Sequence, residues 1–224
     1  MPRARSFLPF LLFGAVSAQG LSTSTPEVHP KLQTWKCSKK GGCVPQNTAV
    51  VLDSGTHWIH QANDTSLGCG DWGNAPNATV CPDAAACAKN CIMEGINNYT
   101  TYGVTTKGSD LYLDMLAADG SSLSPRVYLL AEGEKQYEML QLTGGELSFE
   151  ADVSKLPCGM NGALYLSDMD PTGGRSALNP GGATYGTGYC DAQCFTVPFL
   201  NGVVSSKEIS CNSFANQIPG EYCR

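Results

Sequence analysis

The sequence predicts an all-β domain of short strands and many turns. Charged residues make up only 15% of the chain while Gly numbers 25 and Pro 13, a mix that suits turn-rich sheets better than a helical bundle. From Thr105 onward, short apolar or alternating runs recur at intervals of roughly ten residues, the spacing of a sandwich or barrel. Leu147, Phe149 and Ala151 alternate with Ser148, Glu150 and Asp152, a period of two that gives a strand one buried and one wet face.

Taken in order, residues 1–18 stand outside that domain. Arg3 and Arg5 give a positive start, and Phe7 to Val16 is apolar except for Pro9 and Gly14. Val16-Ser17-Ala18 puts small residues where a signal peptidase cuts, so residues 1–18 read as a secretory signal. The run is too short to span a bilayer, which takes roughly 20 apolar residues. The mature chain begins near Gln19, and no later segment is apolar for long enough to span; a secreted, extracellular, soluble protein with no membrane partner is expected.

Ser22 to Pro30 is a polar lead-in. Cys37 and Cys43 bracket Ser38-Lys39-Lys40-Gly41-Gly42, a turn. Ala49-Val50-Val51-Leu52 reads as a buried strand ended by Asp53-Ser54-Gly55. Pro82 to Lys89 predicts a short helix, with Pro at its first position, Asp83 in its first turn and Lys89 in its last. Further strands are expected at Leu111–Leu113, Arg126–Leu130, Tyr137–Leu142, Glu146–Asp152 and Ala163–Ser167, and a loop at Gly173–Gly188. Neither an internal repeat nor a Ser/Thr/Pro linker is present.

The net charge of −6 and the lack of basic patches argue against nucleic acid. A neutral polymer asks for no strong field. Eleven cysteines behind a secretory signal predict disulfides, and the odd count leaves at least one unpaired within the chain. Asn63, Asn77 and Asn98 open glycosylation sequons.

His57 and His60 form His-x-x-His, but His29 is the only other histidine and no His-Glu-x-x-His exists, so no metal site is expected. In a secreted chain the cysteines favour disulfides over zinc. Gly181-Gly182 and Gly186-x-Gly188 do not join a strand to a helix, which leaves a phosphate loop unsupported. Without Gly-x-Ser-x-Gly, an α/β-hydrolase is disfavoured. Trp58, Tyr102, Tyr165, Tyr185 and Tyr189 are candidates to stack on sugar rings, although any one alone is more often a core or surface residue.

Several segments in fixed order carry a family resemblance. They include Ser24 to Leu32, Cys69-Gly70-Asp71-Trp72-Gly73-Asn74, Cys81-Pro82-Asp83 and Cys87 to Gly95. Tyr102 to Thr106, Ser124 to Leu130, Leu156 to Asn161, Ala163 to Ser167 and Tyr185 to Cys194 follow. Together they resemble glycoside hydrolase family 7 cellulases, nearer the endoglucanase branch than the tunnel-forming cellobiohydrolases. The match runs from about Ser24 to Asn201-Gly202. It divides the chain into the signal, a family region at 19–203 and a divergent tail at 204–224.

The resemblance implies a concanavalin-like β-sandwich (a jelly roll of curved antiparallel sheets), incomplete on its C-terminal side. It implies a monomer that needs no cofactor and acts on β-1,4-glucan, hydrolysing it with retention. The sugar-contacting positions it carries over are Trp58, Tyr102, Arg126, Asn161, Tyr165, Tyr189, Asp191 and Gln193. Trp58 would stack at the far end of the cleft, and Tyr165, Asp191 and Gln193 would lie near its catalytic centre. His57 stands where the family often has Arg. By resemblance Cys37 pairs with Cys43, Cys69 with Cys91 and Cys81 with Cys87, while the family partners of Cys158, Cys190 and Cys194 do not occur here.

The family's catalytic Glu-x-Asp-x-x-Glu is also absent. Glu208 and Glu221 are the only carboxylates after Gly202, and Asp168-Met169-Asp170 has no Glu three residues on. No catalytic residue is therefore assigned. Three readings follow: a glucanase whose product is shortened or misread near Val203, a non-catalytic glucan-binding chain, or a fragment that misfolds with its apolar faces exposed.

Overall fold

The computed structural model describes residues 20–22, 24–70, 77–189, 199–200 and 203–204. Along the chain these form β1 (Gly20–Leu21), β2 (Lys31–Ser38), β3 (Gly42–Leu52), β4 (Ile59–Gln61) and β5 (Asp64–Gly68). Next come α1 (Ala84–Asn90), β6 (Cys91–Met93), β7 (Val104–Lys107), β8 (Asp110–Leu113) and β9 (Val127–Leu130), then β10 (Phe199–Leu200) and β11 (Val203–Val204). The sheets run β2-β3-β9, β1-β6-β4-β5, β7-β8 and β10-β11. Every strand pair is antiparallel except the two-residue pair β1–β6, which is parallel. Among the described residues no helix is long and apolar enough to cross a membrane.

β3 organises the core. Successive side chains of a strand point to opposite faces. Val50 and Leu52 enter one cluster with Leu32, Ile96, Tyr99 and Val104. Ala49 and Val51 enter another with Leu130, Tyr137, Met169 and Ala183. Burial on both faces is why the run is continuously apolar rather than alternating. At its other end β3 pairs with β2 from Lys31↔Ala49 to Ser38↔Gly42, and Cys37–Cys43 is a disulfide across that hairpin.

A third cluster gathers Ile59, Cys69, Cys81, Cys87, Cys91, Met93 and Tyr185. The disulfides Cys69–Cys91 and Cys81–Cys87 lie inside it. Asp83 caps α1 by accepting from the Ala86 amide at 2.8 Å, and Lys89 sits in the last turn. The glycine-rich loop closes on β3 at Gly186. Its φ is 65°, and a Cβ there would strike the Leu52 carbonyl.

Three expected strands do not form. Tyr137 makes one isolated bridge to Leu130, after which Glu138 to Leu142, Glu146 to Asp152 and Ala163 to Ser167 carry no strand. Alternation shows which face a strand would bury, but a strand also needs a neighbour for its backbone groups. Among the described residues these runs have none beyond the Glu138 amide, which donates to the Leu129 carbonyl at 2.9 Å. Leu147 stays 39% exposed, Phe149 58% and Leu166 61%. Conversely, β2 and the β4–β5 hairpin carry little apolar period, because β2 is exposed at six of its eight positions and β5 at all five.

Candidate functional site

One part of the candidate surface surrounds Arg126, immediately before β9. Its carbonyl accepts from the Asp53 amide at 2.9 Å, extending the β3–β9 ladder by one step. The guanidinium carbon lies 4.5 Å from the centroid of the Tyr189 ring, a cation–π contact. Tyr189 stacks on Tyr128 at 5.7 Å and 30°, and Tyr128 meets Tyr137 edge-on at 5.6 Å and 71°. The Tyr128 hydroxyl donates to Asp53 Oδ2, while Asp53 Oδ1 accepts from the Gly55 amide at 2.8 Å. Burial opposes the Arg126 charge, but Tyr128, Asp53 and Tyr189 outweigh it and raise its pKa. Burial first, then the Asp53 carboxylate, pushes the Tyr128 phenol up, so it stays a donor.

The other expected contact residues stand apart from this group. Asn161 Nδ2 donates to the Tyr165 hydroxyl at 3.3 Å, and Tyr165 is 72% exposed. Trp58 is 48% exposed; its Nε1 donates to the Thr65 carbonyl at 3.4 Å, and its ring edge lies against Gly68. Tyr102 is half-buried and packs against the Val50–Leu52 cluster, so part of its ring is committed to the core. Asp191 and Gln193 lie outside the described residues, as do Cys190, Cys194, Cys211 and Cys223. The structure thus joins Arg126 with Tyr189 and Asn161 with Tyr165.

Sequence reasoning missed Asp53 and Tyr128, and also a set of buried histidine–carboxylate contacts. Glu27 accepts from His57 Nε2 at 3.0 Å, from the Ile96 amide at 2.6 Å and from the Tyr99 hydroxyl. Burial, then the Glu27 charge, raises the Tyr99 phenol. His29 places Nδ1 at 2.8 Å from Glu134 Oε2 and Nε2 at 2.8 Å from the Thr184 carbonyl. His60 Nε2 lies 2.8 Å from Glu94 Oε1. The two histidines of His-x-x-His therefore face different carboxylates, and among the described residues no group of three or more His, Cys, Asp or Glu could hold a metal.

A shallow open depression lies elsewhere, lined by Val28, His29, Pro30, Asn97 to Thr100 and Val104 to Thr106; none of the expected sugar-contacting residues lines it. Asn63, Asn77 and Asn98 are all exposed. Cys158 is exposed and, among the described residues, unpaired.

Fold and surface together define an unclosed β-sandwich protein with an arginine set among tyrosines. The chain belongs to glycosyl hydrolase family 7, whose model matches residues 21–223. It is 57% identical over 208 residues to endoglucanase EG-1 of Humicola insolens, covering 92% of this chain and 48% of that protein. Endoglucanase type C of Fusarium oxysporum is 50% identical over 212 residues, covering 90% of this chain and 49% of its own length. The native structure of the Humicola insolens endocellulase EGI superposes with a TM-score of 0.79 at 56% identity, over 85% of this chain and 48% of that one. A cellobiohydrolase of Daphnia pulex is more distant, with a TM-score of 0.67 at 34% identity over 84% of this chain and 44% of that one. The chain spans about half the length of the curated relatives it matches.

Proposed function

We propose that the protein to which this chain belongs is a secreted endoglucanase that hydrolyses β-1,4-glucosidic bonds in cellulose and related β-glucans with retention. The observation that carries this reading is 57% identity, across 92% of the chain, to an endoglucanase. The Arg126–Tyr189 pair adds physical support, because a fixed guanidinium over an aromatic face offers hydrogen bonds beside a stacking surface. A solved relative described as endoglucanase I complexed with cellobiose matches at 53% identity and a TM-score of 0.75.

These 224 residues supply glucan contacts but not the chemistry. A retaining glycosidase needs two carboxyl groups about 5–5.5 Å apart. The Glu-x-Asp-x-x-Glu that furnishes them in the family does not occur in the sequence. By itself the chain is therefore read as a β-glucan binder without turnover. Residues 1–18 export it, and Asn63, Asn77 and Asn98 are its glycosylation positions.

Peptide mass spectrometry of the native secreted protein tests the enzymatic reading. A peptide that continues past Asn201-Gly202 into Glu-x-Asp-x-x-Glu supports it. A protein whose peptides end in Pro219-Gly220-Glu221-Tyr222-Cys223-Arg224 would leave binding as the function.

A further inference from the structure

We infer that Asp53 is a positioning residue: acting through Tyr128, it fixes the Arg126 guanidinium above Tyr189 before any glucan arrives. The inference rests on the glucan-binding reading for its purpose, but not for its geometry.

An exposed arginine side chain samples many rotamers, and ordering it during binding weakens affinity. Here the ordering is done in advance, on three sides. The Tyr189 ring lies beneath the guanidinium at 4.5 Å. The Tyr128 phenol lies beside it, favours its charge, and stacks on Tyr189 at 5.7 Å. Asp53 holds Tyr128 through one carboxylate oxygen, while the Gly55 amide holds the other at 2.8 Å. Asp53 and Arg126 are also tied backbone to backbone at 2.9 Å, so the carboxylate and the guanidinium are anchored at the same step of the ladder. The Asp53 carboxylate also supplies an opposite charge that favours the guanidinium.

Tyr137 separates this role from simple packing. It is as buried as a core residue, it touches Tyr128 at 5.6 Å, and its hydroxyl donates to the Thr187 carbonyl at 2.6 Å. Its hydroxyl bonds to backbone rather than to the Asp53–Tyr128–Arg126 chain. Tyr137→Phe should therefore loosen the fold about as much as Tyr128→Phe does, without releasing Arg126.

The test is side-chain NMR of the disulfide-bonded secreted chain, reading the Arg126 Nε–Hε order parameter alone and during titration with cellotetraose. In the unaltered chain and in Tyr137→Phe the order parameter should stand near the rigid value of about 0.85. In Tyr128→Phe and Asp53→Asn it should fall toward about 0.6, and cellotetraose should bind about tenfold more weakly. Tyr128→Phe keeps the stacked ring and so keeps the fold testable. An Arg126 that stays equally ordered in both variants, or that loosens as much in Tyr137→Phe, would overturn the inference. If the unaltered chain bound no cellotetraose, the glucan reading would fail, and the order parameter alone would decide the positioning role.

Discussion

His60 and Glu94 face one another from β4 and from the residue after β6, with Nε2 and Oε1 2.8 Å apart, and the second ring nitrogen of His60 lies 2.9 Å from the Gln61 carbonyl. Two acceptors ask for two N–H donors, which only the imidazolium provides. Burial works against that charge, yet the bonds to Gln61 and Glu94 win, and the His60 pKa rises above its ordinary 6.5. Burial likewise opposes the Glu94 charge, but the Ser22 and Thr25 hydroxyls and His60 hold it below 4.5.

A pH dependence with two limbs follows from linkage. A raised histidine contributes stability that is complete below its unfolded pKa and is lost as pH rises through the folded value. A lowered carboxylate contributes stability present above its unfolded pKa and lost as pH falls. His29 is pushed down, chiefly by burial, so it joins the acid limb. Tyr185, near Glu94 and Glu27, is raised by burial and stays neutral across this range. The melting temperature should be highest near about pH 6.5, where the His29 contribution is nearly complete and the His60 contribution has not yet been lost. Scanning calorimetry across pH should show the alkaline limb flatten in His60→Gln, and a monotonic rise of stability from pH 6 to 8 would contradict it.

Glu94→Gln removes one partner of a buried pair. It should cost about 3 kcal/mol, or a Tm loss of roughly 6–12 °C, measured at pH 5.5. Asp64, which is fully exposed, provides the comparison: Asp64→Asn should shift the transition by no more than a degree or two.

Gly186 seats the glycine-rich loop on β3. Gly186→Ala adds a Cβ against the Leu52 carbonyl at a φ of 65°, so it should destabilise by at least about 2 kcal/mol. Leu52→Ala, which hollows the core beneath, should cost about 2–5 kcal/mol. Urea unfolding checks both, with m unchanged.

The Cys69–Cys91 disulfide closes a 22-residue separation inside a buried cluster. Replacing both cysteines by Ala should cost about 3 kcal/mol. Loss of the same size from replacing Cys37 and Cys43, whose separation is six and which lie exposed in a hairpin, would mean that loop closure is not what the buried bridge contributes.

How much of this was legible in the sequence depends on what each residue touches. β3 was legible because both its faces are buried, and α1 because its signals are local, although Asp83 proves to be the cap and Pro82 lies before the helix rather than at its first position. The runs from 138 to 167 misled because alternation records a facing preference, while a ladder needs a neighbour that the described residues do not supply. The contact positions came from a resemblance and not from pattern; the structure joins four of them in two pairs. Asp53 with Tyr128, His29 with Glu134 and His60 with Glu94 stand 75, 105 and 34 residues apart. No local period marks a pair at such distances.

Trp58 presents its ring at the surface with one edge against Gly68. Trp58→Ala should leave the melting temperature nearly unchanged and weaken cellotetraose binding about 3- to 10-fold by calorimetric titration. A large loss of stability with unchanged affinity would make Trp58 a packing residue.

The central claim is that these residues bind β-1,4-glucan and do not cut it. One proton NMR titration of cellotetraose with the purified, cellulase-free chain tests both halves at once. Saturable broadening of the sugar signals, lost in Arg126→Ala, with no new anomeric signals over a day, is the expected result. New anomeric signals from cellobiose, or sugar signals that stay sharp throughout, would contradict it.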